Sequence, residues 1–191
     1  MRYINLFSAN LCKDFRLIRF STDKVQKLFN FAPMEEKEYN ALLSRLQAAC
    51  VKREYCVRDI CAKALKLTGD EQTAEKMVSE LVADRFVDDL RYAAAFAREK
   101  ASISGWGSVK ISFALRGKGI GDAVIRQALE EVDASAATAR MNKALAAKWK
   151  TLKDDPQGKY KLIRFALSRG YNYDEVGPAV EEIIASEESA S

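Results

Sequence analysis

From Glu35 onward the apolar residues of this chain cluster at i, i+3 and i+4, the spacing that places side chains on one face of an α-helix. Three clusters repeat one another: Cys61, Ala64, Leu65; Ile111, Ala114, Leu115; and Ile163, Ala166, Leu167. Their leucines lie 50 and 52 residues apart, and 13 and 17 residues beyond each come Val78 and Val82, Ala128 and Val132, Val180 and Ile184. A glycine separates the two halves each time, at Gly69, Gly119 and Gly170, where a left-handed residue ends a helix without steric cost. Ahead of each triplet runs another amphipathic segment, carried by Leu42, Leu43 and Leu46, then Tyr92, Ala93 and Phe96, then Met141, Leu145 and Trp149. One such unit has too little apolar surface to stand alone and must bury part of it on its neighbours. The pattern predicts an all-α protein, an elongated curved solenoid of three tandem three-helix repeats over residues 35–86, 87–133 and 134–186, with a disordered tail at 187–191.

Residues 1–33 do not share the repeat. Phe15, Leu17, Ile18 and Phe20 suit a short strand or an irregular apolar segment, and Pro33 punctuates the chain. Met34 can serve as an alternative translation start, which would make residues 1–33 either a mis-assigned start or a loosely docked arm, a reading favoured over a structured N-terminal domain.

The stretch Phe86 to Ile120, which opens at the start of the second repeat, holds the densest set of local signals. Asp88 or Asp89 can cap the helix that follows, since a carboxylate accepts from the free N–H groups of the first turn. Gly105 and Gly107 bracket Trp106 and end that helix, and Ser108 can cap the next. In the third repeat Asp155 and Pro156 read as a helix start, with proline at the first helical position.

Asp88, Asp89, Arg91, Tyr92, Ala93, Phe96, Gly105, Gly107, Lys110, Leu115, Lys118, Gly119 and Ile120 together resemble the central signature of the RecX family. Ser108 departs from it, standing where the family usually has proline, and Lys100 stands where arginine is common. Phe165, Arg169, Gly170 and Tyr171 resemble the family's C-terminal repeat. The resemblance implies a cytoplasmic regulator of homologous recombination and the DNA-damage response. Its implied partner is the RecA recombinase in its filament on single-stranded DNA, whose extension, ATPase and strand exchange it would inhibit.

Composition bears on the alternatives. Four cysteines, Cys12, Cys50, Cys56 and Cys61, show no C-x-x-C spacing, and there is no histidine to complete a ligand set. They are read as small hydrophobes, and no metal or other cofactor is expected. No apolar run reaches the roughly 20 residues of a membrane span, and charges interrupt the hydrophobic residues of the first 20, so no signal-peptide core is seen. Without histidine there is no Ser-His or Cys-His pair, and Gly117, Lys118 and Gly119 do not form a phosphate-binding loop of the Walker type. No enzyme is expected.

The formal charge of +4 hides a segregation: residues 34–90 hold nine Lys/Arg against twelve Asp/Glu, residues 91–170 sixteen against seven, and residues 171–191 none against six. A cationic stretch on a helical scaffold suits a polyanionic track. Candidate contacts to filament or DNA are Arg91, Arg98, Lys100, Lys110, Arg116 and Lys118 in the second repeat and Lys159, Lys161, Arg164 and Arg169 in the third. Trp106 and Tyr160 are read as core or rim before stacking platforms. A monomer is expected, with weak direct DNA binding as an accompanying property. The competing reading is a nucleic-acid-binding helical-repeat protein that needs no RecA.

Overall fold

The computed structural model describes residues 34–189; the expectations for residues 1–33 lie outside them. Every regular element among the described residues is an α-helix: α1 Glu36–Lys52, α2 Val57–Thr68, α3 Glu71–Ala83, α4 Asp89–Ser102, α5 Ser108–Gly117, α6 Asp122–Glu130, α7 Ala134–Trp149, α8 Gly158–Ser168 and α9 Tyr173–Glu188. They form three triads. The substantial helix–helix contacts all fall within a triad, and each triad closes on its own apolar cluster, the second also taking in Cys56 from the connection between α1 and α2. The units therefore follow one another in series, as expected for a repeat protein.

The register of the repeat differs slightly from the one the triplets suggest. The buried positions that repeat are Ile60 and Ala64, Ile111 and Leu115, Leu162 and Ala166, followed by Ala74, Ile125 and Val176 and by Met77, Ala128 and Ala179, each set spaced by 51 residues. Leu167, expected in the core, is 42% exposed. The triplets align residues one position off in the first and third copies, because two adjacent apolar residues (Ile60–Cys61, Leu162–Ile163) leave the pattern ambiguous by 100° of helix rotation. In the middle triad α4 buries Ala93, Ala94, Ala97 and Ala101, small residues that let α6 approach closely, while Tyr92 and Phe96 stack at its margin.

Local chemistry explains the ends. Asp88 caps α4, accepting from Leu90 N at 2.8 Å and Arg91 N at 3.0 Å; Asp70 and Asp133 cap α3 and α7 in the same way. Asp88→Ala is expected to lower the unfolding free energy by about 1 kcal/mol, to be read from urea titration; an unchanged midpoint would remove the cap from the account. Gly69, Gly119 and Gly170 all adopt positive φ, 67°, 80° and 85°, so the repeated glycine is a repeated left-handed turn. Pro156 does not open α8. It lies in a turn, and the helix starts at Gly158, whose backbone packs on the Leu152 carbonyl so closely that a Cβ would lie 2.2 Å from that oxygen. At the C-terminus α9 runs to Glu188, two residues past 186.

One contact recurs at both junctions between triads: the N-terminus of a triad's second helix meets the turn between the second and third helices of the next triad. At the first junction Arg58 Nη1 donates to the Gly117 carbonyl at 2.9 Å and Lys118 Nζ pairs with Asp59 at 2.8 Å. At the second, Gly107 N donates to the Arg169 carbonyl at 2.9 Å and Val109 N to the Gly170 carbonyl at 3.0 Å. Both second helices lack a side-chain cap of their own and are capped by the following triad. For α2 the cap is Asp89, which accepts from Val57 N at 2.9 Å. Burial pushes the Asp89 carboxyl up, against the opposing pull of that N–H. For α5 it is the Gly170 carbonyl, and Ser108, expected to cap, does not.

Candidate nucleoprotein interface

The ten candidate cations divide by what holds them. Arg91 Nε pairs with Glu54 at 2.7 Å, and its Nη atoms donate to the carbonyls of Arg85 and Phe86 at 3.2 Å, so it ties α4 to the α1–α2 connection. Lys118 likewise reaches Asp59 of the preceding triad. Bonding to those carboxylates raises both pKa values, the chief cause in each case. These two are junction residues as well as cations.

Five more pair within their own triad: Arg98 with Glu131, Lys100 with Glu99, Arg116 with Asp122, Lys159 with Glu181 and Lys161 with Asp155. Exposed pairs of this kind are worth about 0–1 kcal/mol, so exchanging the carboxylate for a phosphate costs little. Lys110 Nζ lies 4.7 Å from the Trp106 ring centre and Arg169 lies over Phe165 at 4.7 Å. Arg164 is exposed and has no ion pair among the described residues.

Trp106 sits edge-on to Phe96 with Lys100 and Lys110 near its ring, a half-buried rim residue as expected. Tyr160 departs from its expected place: it is 63% exposed, because the α8 core face is used by Leu162 and Ala166 and residue 160 points away from it.

A stripe that the motifs did not mark lies on α7. Arg140, Lys143 and the C-cap residue Lys150 follow i, i+3, i+10 on its solvent side, opposite Met141, Leu145 and Trp149, which are buried. None of the three has an ion pair among the described residues. The signal was present as helical periodicity of charge, but it lies outside the glycine-rich signature that drew attention to other cations.

Two family models match this chain in order. Residues 88–129, which cover α4 to α6, match the second three-helix domain of RecX, and residues 138–180, in α7 to α9, match the third. The chain belongs to the RecX family of regulatory proteins. It is 35% identical over 139 residues to the regulatory protein RecX of Clostridium botulinum, a match that takes in 70% of this chain and 63% of that one, so this chain spans less than two thirds of that relative's length. RecX of Prosthecochloris aestuarii is 27% identical over 154 residues, 80% of this chain and all of the relative. Among solved structures, RecX from Lactobacillus salivarius superimposes with a TM-score of 0.67 at 20% identity, covering 78% of this chain and 96% of that one. A second regulatory protein RecX gives 0.66 at 19%, covering 86% and 81%. At those identities the likeness establishes the three-helix-repeat fold. No helix among the described residues is long and apolar enough to cross a membrane.

Proposed function

We propose that this protein regulates homologous recombination by binding the RecA filament on single-stranded DNA, hindering its extension and lowering its ATPase and strand exchange. The observation that carries the reading is the unpaired stripe of Arg140, Lys143 and Lys150 on a serial three-triad scaffold of the RecX family. A scaffold of this kind can follow a helical track over several subunits, and exposed cations gain counterion-release free energy along a polyanion. The ten cations named from the sequence contribute to the same field, Arg91 and Lys118 through the shape of the junctions they hold.

Titrating the protein into a single-stranded-DNA-dependent RecA ATPase assay is expected to inhibit hydrolysis below one molecule per RecA, with weaker binding to naked DNA at the same salt. Exposed Tyr160, one turn before Arg164, favours a second reading in which bases stack directly on the third triad. Tight DNA binding without ATPase inhibition would select that reading and set the first aside.

A further inference from the structure

The first triad, acidic on balance, carries a local concentration of positive charge. A cleft of about 410 Å³ between α1 and α2 is lined by Arg45, Lys52, Arg53 and Lys63, with Tyr55, Leu67 and two alanines completing its wall. No carboxylate lines it, and none of the four cations has an ion pair among the described residues, whereas seven cations elsewhere do.

Tyr55 forms the floor. It is 8% exposed; the Arg53 guanidinium lies 4.4 Å from its ring centre, and Lys63 Nζ lies 5.1 Å from it while donating to the Tyr55 hydroxyl at 3.2 Å. Burial pushes the Tyr55 hydroxyl up, yet bonds from Lys63 and Arg53 outweigh it and bring the pKa below the usual phenol value. The floor of the cleft is a place where negative charge is favoured.

An ordinary explanation covers part of this. Lys52 in the last turn of α1 and Arg53 at its C-cap complement the helix dipole, but that end carries only about half a negative charge. Arg45 lies two turns earlier and Lys63 on another helix, so four full positive charges line one space, and the nearest acid in sequence, Glu54, is paired with Arg91 instead.

We propose that this cleft is a binding site for a phosphate-bearing anion of nucleotide size. Arg45, Lys52, Arg53 and Lys63 hold the phosphate groups, the two guanidinium groups offering planar forks suited to them, and the rest of the ligand lies against Leu67 and the alanines. The volume falls in the usual range for small-molecule sites, about 300–1,000 Å³. Arg53 is followed by Glu54, the partner of Arg91 across the first junction, so an occupied cleft sits one residue from the contact that sets how the first two triads meet. The site does not depend on the filament reading.

Isothermal titration calorimetry on the full chain tests it with four probes at matched ionic strength: pyrophosphate, ADP, sulfate, and a short oligonucleotide with and without a 5′ phosphate. Saturable one-site binding of pyrophosphate or ADP, or of the oligonucleotide only when 5′-phosphorylated, is expected, and the last pattern would identify a strand end as the source. Arg45→Glu/Lys52→Glu, both exposed and outside the Tyr55 cluster, is expected to weaken that binding about tenfold or more with an unchanged circular dichroism spectrum. Binding of sulfate equal to that of pyrophosphate, no saturable binding of any probe, or affinity unaffected by the double substitution would each overturn the proposal.

Discussion

Gly170→Ala is expected to lower stability by about 3 kcal/mol, far more than the same change at the equivalent glycine of the first triad. Two costs combine at residue 170. Its φ of 85° places any Cβ in the left-handed region, which costs about 1–2 kcal/mol. The new Cβ would also lie 2.2 Å from Lys110 Cβ and 2.5 Å from Lys110 N. That clash is not relieved by a side-chain rotation, because it is made with the first turn of α5, which is fixed by the Gly107–Arg169 and Val109–Gly170 bonds; overpacking of this sort adds about 1–3 kcal/mol. Gly69 has a similar φ of 67° but nothing within 4 Å, since no triad among the described residues precedes it, so Gly69→Ala is expected to lose only the conformational part, about 1 kcal/mol. Urea unfolding followed by circular dichroism compares the two. Equal losses would mean that the second junction yields to a methyl group and is not the stiff contact its backbone bonds suggest.

Arg140→Glu/Lys143→Glu/Lys150→Glu is expected to weaken binding to the RecA–single-stranded DNA filament by at least about tenfold. Helix content should stay intact, since all three residues are exposed and lie on the side of α7 and its C-cap away from the buried Met141, Leu145 and Trp149. If all three meet single-strand phosphates, the slope of log affinity against log salt becomes shallower by about 2, at roughly 0.7 per contact. Affinity unchanged at low salt would place the interface elsewhere on the molecule. Reversing Arg116 and Lys118, the pair singled out by the sequence signature, is a less clean test. A glutamate at 118 would face Asp59 across the first junction, where Lys118 now pairs at 2.8 Å, so weaker binding there would mix loss of a contact with a loosened hinge.

The difference between the two stripes shows how far the sequence could be read. The signature around Lys118 is dense because it carries fold information: Asp88 caps α4, Asp89 caps α2 from the neighbouring triad, Gly119 turns, and Lys118 holds the junction. Asp88 and Asp89 were equivalent as candidate caps from sequence, and only their different neighbours separate them. Arg140, Lys143 and Lys150 form no motif at all. Their meaning comes from a helix whose opposite side is buried and from their having no ion pair among the described residues, neither of which a string of letters displays. The same holds for the cations around Tyr55, which are 18 positions apart from first to last and come together because α1 and α2 pack.

By itself the sequence determined the helical class, the threefold repetition, the left-handed glycine turns and the family, because each rests on local rules: side-chain periodicity along one helix, and backbone angles that glycine adopts freely. The tertiary structure decided the rest. It chose which of two adjacent apolar residues faces the core, moved the start of α8 from Pro156 to Gly158, turned Tyr160 outward, and assigned each cation a carboxylate in its own triad, a carboxylate across a junction, or none. These are outcomes of contacts between residues distant along the chain, where burial and charge depend on which surfaces meet.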